Sequence, residues 1–426
     1  MRVAFTTFGC KINQYETDLM GRTLAASGNA VVPFDDEADV YVINTCSVTA
    51  KSDYQCRQAI RSAVKRGQGA RIVVTGCYAE TRPEELRNIP GVDAVIGNSG
   101  KEKLADYLLK STGLPSAEAS RPQDHPTAVR SRTRGFLKIQ DGCDNQCSYC
   151  IVPFARGRSR SVLPEEVMRE FDGLVRSGCP EVVLSGIHIG RYGFDIQPRT
   201  ELTDLIKILI AQRGRTRIRL SSIEPREITR GIIELLGHGL CRHLHIPLQS
   251  GDDSILKAMK RDYTSRFYVE LVEDITRTVP GTALGADVMI GFPGEGDGEF
   301  NNTVRLIENS PLTHLHVFSY SPRPGTPAAT MPEQAPEQVK KERSSVLRAL
   351  GRKKNFHFRR AFLGSELNVV IEDKPDRETD SPTGLTDNYI RVKVSGAQQS
   401  QSGKEIPVRI AEVTENETIG VFSGNY

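Results

Sequence analysis

Six of the nine cysteines fall into two sets of three, and thiolates in such sets hold iron–sulfur clusters or zinc. Cys143, Cys147 and Cys150 form a C-x3-C-x2-C run within GFLKIQDGCDNQCSYCIVPFARGR, near enough in sequence to surround one cubane unaided. Cys10, Cys46 and Cys77 are dispersed, but each follows a strand-like apolar run: RVAFTTFGC, DVYVINTC and RIVVTGC. A cluster held by three thiolates leaves one iron open to substrate, cofactor or sulfide, whereas electron-carrying clusters usually have every iron filled by cysteine. Two such sets therefore point to catalysis. Zinc competes for the compact run, but structural zinc takes a fourth ligand and no Cys or His follows closely. Cys56, Cys179 and Cys241 match no ligand spacing and read as small buried hydrophobes.

The elements that must position these thiols are legible as periodic runs. Strand-like runs at Val3–Phe8, Val40–Asn44, Ile72–Thr75 and Ala94–Ile96 alternate with helix-length segments, which predicts a small parallel α/β domain over 1–112. The dispersed cysteines then share the carboxyl edge of one sheet, where open parallel sheets bind ligands. Residues 113–128, rich in Pro, Ser, Ala and Thr, read as a linker. Over 129–360 the strands FLKIQ, EVVLSG, RIRLSS, HLHIPLQ, GADVMIGF and HLHVFSY predict a partial (β/α)6 barrel. Residues 361–426 carry short β runs between Gly, Pro, Asp and Asn turns, the pattern of a small OB-like β-barrel.

At 426 residues, with 38% hydrophobic and 26% charged, the chain has material for several buried cores. No apolar run is long enough for a membrane span, and the start lacks a secretory pattern, so a cytoplasmic location is expected. Net charge is only +3, but basic residues clump at 130–134, 155–160, 213–219 and 340–360. Clumping on a near-neutral chain suggests a localised anionic partner such as RNA, or solvated helix faces.

The compact run after a strand at the head of a βα series resembles the radical S-adenosylmethionine superfamily. There the amine and carboxylate of S-adenosylmethionine chelate the open iron, and reduction splits the cofactor to a 5′-deoxyadenosyl radical. That resemblance makes Tyr149 a candidate beside the adenine, Ser185 and Gly186 for the amino group, and Ser221 and Glu224 for the ribose. Gln249 and Asp287 are further candidates, and each of these polar residues could instead cap a barrel strand. His188, His243, His245, His314 and His316 lie on or just after strands, with His243 and His245 on one face, a placement that would line the barrel mouth.

FGCKINQYE, VINTCSVT and VTGCYAE, followed by GCDNQCSYCIVPFARGRSRS, resemble the methylthiotransferase family of radical S-adenosylmethionine enzymes, and the tail is similar to its TRAM domain. The resemblance implies two 4Fe-4S clusters, with Cys143, Cys147 and Cys150 making the radical and Cys10, Cys46 and Cys77 holding the sulfur to be transferred. KINQYET, NTCSVT and FLKIQDGC look like one bacterial branch, which modifies C2 of N6-threonylcarbamoyladenosine 3′ to the tRNA anticodon. Relatives acting on isopentenyladenosine or on a ribosomal protein are the alternatives, and a non-catalytic iron–sulfur RNA-binding protein is a third. The implied partners are the tRNA anticodon stem-loop, an electron donor such as flavodoxin or ferredoxin, and a sulfur donor. No membrane is involved, and a monomer is expected. Arg156, Arg158 and Arg160 are candidates for the threonylcarbamoyl carboxylate.

Overall fold

The computed structural model describes residues 1–67, 69–110, 133–376 and 378–423, so the linker read at 113–128 lies outside the described residues. The chain packs as two compact units. One holds the described residues up to 110 together with Gln140–Arg160 and Ser321–Ala329; the other holds the rest.

In the first unit, strands β1 (Arg2–Thr7), β2 (Ala30–Val32), β3 (Val40–Thr45), β4 (Arg71–Gly76) and β5 (Ala94–Ile96) form one parallel sheet in the order β2-β1-β3-β4-β5. The centre of the sheet is apolar on both faces: every residue of β3 is buried, as parallel strands covered by helices require. Helices α1 (Lys11–Ala26), α2 (Ala50–Arg66) and α3 (Cys77–Thr81) start at the carboxyl ends of β1, β3 and β4. A capping box starts α2, in which the Thr49 hydroxyl accepts the Ser52 N–H and Ser52 Oγ accepts the Thr49 N–H. Strand β2 had no sequence signal because it is a three-residue edge with two of its residues exposed. A short helix, α4 (Val152–Arg156), follows the compact cysteine run.

In the second unit, six parallel strands follow one another in chain order: β6 (Arg134–Lys138), β7 (Glu181–Ser185), β8 (Arg217–Leu220), β9 (His243–His245), β10 (Ala283–Ile290) and β11 (His314–Ser319). They pair as two three-stranded sheets, joined by the isolated parallel bridges Ile218↔Leu240 and Ser222↔His245, which makes the expected partial (β/α)6 barrel. Its crossover helices are amphipathic. Helix α5 (Pro164–Arg176) starts with Pro164 in its first turn, carries Glu165 and Glu166 where the helix dipole favours acid, and buries Val167 and Phe171.

The same unit holds a long basic helix, α6 (Glu337–Arg360), and a closed five-stranded barrel. The barrel strands are β12 (Glu366–Ile371), β13 (Thr383–Thr386), β14 (Arg391–Ser395), β15 (Glu405–Val413) and β16 (Thr418–Phe422). The small barrel closes the amino-terminal end of the six-stranded series. Arg219 donates to the carbonyls of Thr386 and Asp387, Arg217 donates to that of Leu385, and Arg242 forms two hydrogen bonds to Asp387. Buried Glu181 accepts from both Arg217 and Arg219, and Tyr389 stacks on His243 with ring centroids 4.1 Å apart. His243 and His314 are the first residues of their strands. Both lie at this floor, His314 also stacked on Tyr389, so His243 does not line the mouth as its alternation with His245 predicts.

Candidate functional site

The dispersed thiols meet because the sheet is parallel. Cys10 is the N-cap of α1, Cys46 directly follows β3 and Cys77 opens α3. The β1–α1 turn lies directly on Cys46: a Cβ at Gly9, whose φ is +95°, would stand 2.7 Å from Cys46 Cβ and 2.8 Å from its Sγ. The three thiols sense one another electrostatically, Cys77 and Cys10 both disfavouring the Cys46 thiolate. Cys46 is buried, and burial pushes its thiol up to about 11. Its proton therefore leaves near neutrality only when a metal takes its place. Asn98 Nδ2 donates to Cys77 Sγ at 3.6 Å and also to the Ala155 carbonyl at 2.6 Å.

The compact set occupies the irregular stretch before α4 in the same unit. The Cys143 N–H donates to the Gly157 carbonyl, the Cys150 N–H to that of Cys147, and the Asn145 N–H to Cys143 Sγ at 3.4 Å. Gly142 has φ +72°, and a Cβ there would fall 1.9 Å from the Arg158 carbonyl oxygen, so only glycine lets the loop close. Buried Gln140 donates to the carbonyl of Gly142 and to Ser159 Oγ, bracing the same turn. The Ala328 N–H reaches the Ser148 carbonyl at 2.8 Å, and Arg323 reaches the Ser47 carbonyl at 3.3 Å and Asp53 at 2.6 Å. The segment Ser321–Ala329 thus straps a residue beside Cys46 and a residue beside Cys147. Nothing in the sequence of that segment signalled this. Tyr149 is half-buried within this loop.

Among the described residues no three His, Cys, Asp or Glu side chains stand close enough to share a single metal ion. The N–H···S donors Asn98 and Asn145 fit an iron–sulfur cluster, since they stabilise charge on cluster sulfur.

At the carboxyl ends of the barrel strands the candidate polar residues differ in what they have left to offer. Ser185 ends β7 with its hydroxyl donated to the Val183 carbonyl, and Gly186 follows it, half-buried. Ser221 Oγ and Gln249 Oε1 are buried without a hydrogen-bond partner among the described residues. Gln249 also holds the left-handed φ of +60°, uncommon for a residue with a side chain, while its N–H and carbonyl pair with Asp287 and Met289. Burial raises the Glu224 carboxyl, although Arg261 pairs with it and opposes the rise. Asp287 sits between His245 Nε2 at 3.1 Å and His316 Nδ1 at 2.8 Å. Its burial is outweighed by these two imidazoles, which hold the carboxyl well below the usual range. Sequence reasoning missed the neighbouring pair His188–Glu227, 2.7 Å apart, because Glu227 lies on no strand.

Two further expectations change. Arg156 is buried in ion pairs with Glu16 and Asp141 and has no exposed head for a substrate carboxylate, whereas Arg158 and Arg160 remain exposed. Cys56, Cys179 and Cys241 are all buried; burial pushes the Cys56 and Cys241 thiols up to about 12, which is the behaviour of structural thiols.

Residues 2–97 match the model described as Uncharacterized protein family UPF0004, and residues 137–307 that of the Radical SAM superfamily. A Bacillus subtilis (strain 168) protein named threonylcarbamoyladenosine tRNA methylthiotransferase MtaB is 40% identical over 96% of this chain and 93% of its own length. A protein of the same name from Aquifex aeolicus is 37% identical over 94% and 98%. A Moorella thermoacetica protein named tRNA-2-methylthio-N(6)-dimethylallyladenosine synthase is 33% identical over 95% and 94%. Among solved structures, the radical S-adenosylmethionine methyltransferase TsrM from Kitasatospora setae superposes with a TM-score of 0.59 over 77% of each chain. At 17% identity, that likeness speaks to the fold alone.

Proposed function

The chain belongs to the methylthiotransferase family of radical S-adenosylmethionine enzymes, and we propose that it adds a methylthio group to C2 of N6-threonylcarbamoyladenosine 3′ to the tRNA anticodon. The observation that carries this reading is the presence of two three-cysteine sets, one converging at a parallel-sheet edge and one on a glycine-closed loop, in one compact unit. For the nucleoside, the support is that relatives named for threonylcarbamoyladenosine are 36–40% identical, against 33% for the one named for dimethylallyladenosine.

C2 of a purine carries an unactivated C–H that no side-chain acid or base can open. The chemistry supplied by bound S-adenosylmethionine and iron–sulfur clusters is a carbon-centred radical able to take that hydrogen. The chain's own residues bind, orient and shield. Cys143, Cys147 and Cys150 would hold one 4Fe-4S cluster, and Cys10, Cys46 and Cys77 the other. With three protein ligands each, the first set would leave a position for the cofactor and the second one for sulfur. Of the candidate cofactor contacts, Tyr149 would serve the adenine, Ser185 and Gly186 the amino group, and Ser221 and Glu224 the ribose. Gln249, whose Oε1 is buried without a hydrogen-bond partner among the described residues, would offer that oxygen to the cofactor. Asp287, already held by His245 and His316, orients the mouth through its backbone carbonyl, which accepts the Gln249 N–H.

The tRNA anticodon stem-loop is gripped through its phosphates by the exposed basic residues of α6, among them Lys341, Arg352, Lys353 and Arg360, and by the small β-barrel. A loop adenosine is cheaper to extrude than a paired one. Exposed Arg158 and Arg160 are the cations left for the threonylcarbamoyl carboxylate. Electrons come from a flavodoxin or ferredoxin, and sulfur from a separate donor. The enzyme works as a cytoplasmic monomer; no helix among the described residues is long and apolar enough to cross a membrane.

Anaerobic reconstitution tests the reading. The full chain should bind about eight irons and release 5′-deoxyadenosine under reduction. Replacing either cysteine set by alanine should halve the iron. Four irons in the intact chain, or no 5′-deoxyadenosine, would return the protein to the non-catalytic alternative.

A further inference from the structure

A buried ionic junction lies beside both cysteine sets. Arg156, the last residue of α4, is 5% exposed and uses both terminal nitrogens. Its Nη1 donates to Glu16 Oε1 at 2.9 Å and to Asp141 at 2.9 and 3.1 Å. Its Nη2 donates to Asn13 Oδ1 at 2.5 Å and Glu16 Oε2 at 3.2 Å. Lys101, also buried, reaches Glu16 at 2.5 Å and Asn13 Oδ1 at 3.5 Å. Asn13 in turn donates to the carbonyls of Phe8 and Thr45, the residues two before Cys10 and one before Cys46. Asp141 lies two residues before Cys143 and accepts the Gly142 N–H. On the third side Asn98 links Cys77 Sγ to the carbonyl of Ala155, next to Arg156. The turns that carry Cys10 and Cys46, through Asn13, and Cys77 itself, through Asn98, are thereby tied to α4.

Such a junction is expensive to bury unless its charges are paired, and two cations here face two carboxylates. Burial disfavours the Arg156 cation, but the fields of Cys77, Glu16 and Asp141 outweigh it and keep the guanidinium charged. It also lowers the cost of a thiolate at Cys10. A surface arginine for substrate or phosphate would do neither.

We propose that Arg156 is a positioning residue of the double centre: it locks the dispersed-cysteine turns to the compact loop and sets a fixed positive charge that favours the reduced form of the dispersed-set cluster. Reduction adds one electron, so a nearby fixed cation raises the midpoint and a nearby carboxylate lowers it. At an effective dielectric of about 20, one charge within about 12 Å changes such an equilibrium about tenfold. The proposal rests on the dispersed set holding a cluster, which iron content reports separately from potential.

The test uses the full chain with Cys143, Cys147 and Cys150 replaced by alanine, so that the dispersed set is titrated alone, by EPR-monitored anaerobic potentiometry. In that background Arg156→Met should lower the midpoint by about tenfold in the one-electron equilibrium, or 59 mV. Arg156→Lys should restore most of it, and Asp141→Asn should raise it, all at about four irons per chain. A role confined to packing gives shifts of one sign or none. Shifts of the same sign in Arg156→Met and Asp141→Asn, or less than threefold in both, would overturn the proposal. If Arg156→Met fails to take up iron, Arg156→Gln, which keeps donors but not the charge, decides: a lowered midpoint supports the proposal and an unchanged one refutes it. Less iron in the unsubstituted background would instead count against the cluster assignment itself.

Discussion

Replacing Glu181 by Gln removes the buried carboxylate between Arg217 and Arg219 at the barrel floor. Burial alone would raise this carboxyl, but Arg219 and Arg217 outweigh it and lower it from 4.5 to about 2. That lowering corresponds to roughly 3 kcal/mol of stability. Removing one partner of a buried ion pair costs about 3–5 kcal/mol on independent grounds, so the two magnitudes agree. Because the folded-state value lies below the unfolded one, this stability is fully present above about pH 4.5 and fades as pH falls toward 2. The deficit of Glu181→Gln should therefore be about 3 kcal/mol at pH 7 and narrow to about 1 kcal/mol at pH 3. Urea unfolding of the metal-free chain, followed by circular dichroism and tyrosine fluorescence since the chain has no tryptophan, measures it. A variant within about 1 kcal/mol of the parent at pH 7, or a gap that does not narrow with acid, would refute the ionic floor. One practical consequence concerns the tail. Deleting residues after 363 would uncover Arg217 and Arg219, so loss of tRNA binding on truncation would report damage to the barrel as much as loss of an RNA contact.

Point substitutions avoid that confusion. Arg352, Lys353 and Arg360 are exposed on α6, and replacing all three by alanine should reduce the slope of log affinity for tRNA against log salt by about 2, from ~0.7–0.9 per lost phosphate contact. An unchanged slope would remove α6 from the tRNA interface. Ser221→Ala deletes a buried hydroxyl with no partner among the described residues, so metal-free stability should hold or rise by ~1 kcal/mol. S-adenosylmethionine affinity, measured calorimetrically on reconstituted protein, should nonetheless fall about tenfold. Destabilisation without any loss of affinity would assign Ser221 to the fold instead of the cofactor.

Much of the site was legible because period-2 runs mark strands and parallel strands bring their carboxyl ends together. That logic places Cys10, Cys46 and Cys77 on one edge from the sequence alone. It failed where spatial partners are far apart in sequence. Arg156 sits in a basic clump and reads as a surface cation, yet its partners Asn13 and Glu16 lie some 140 positions away. The strand Thr383–Thr386 was invisible because TGLT carries one large apolar side chain, and its burial comes from barrel closure. His243 alternates correctly with His245, but alternation gives the face and not the end of the barrel. Only the docking of Tyr389 revealed that end as the floor. The unused oxygens of Ser221 and Gln249 are properties of packing, and no sequence pattern encodes them.

Mass spectrometry of nucleosides from tRNA of a strain lacking this protein tests the central claim most directly. The 2-methylthio form of N6-threonylcarbamoyladenosine should vanish while its unmethylthiolated precursor accumulates. The wild-type gene should restore it, and a gene with Cys10, Cys46 and Cys77 replaced should not. Loss of the methylthio isopentenyladenosine product instead, or an unchanged nucleoside profile, would contradict it.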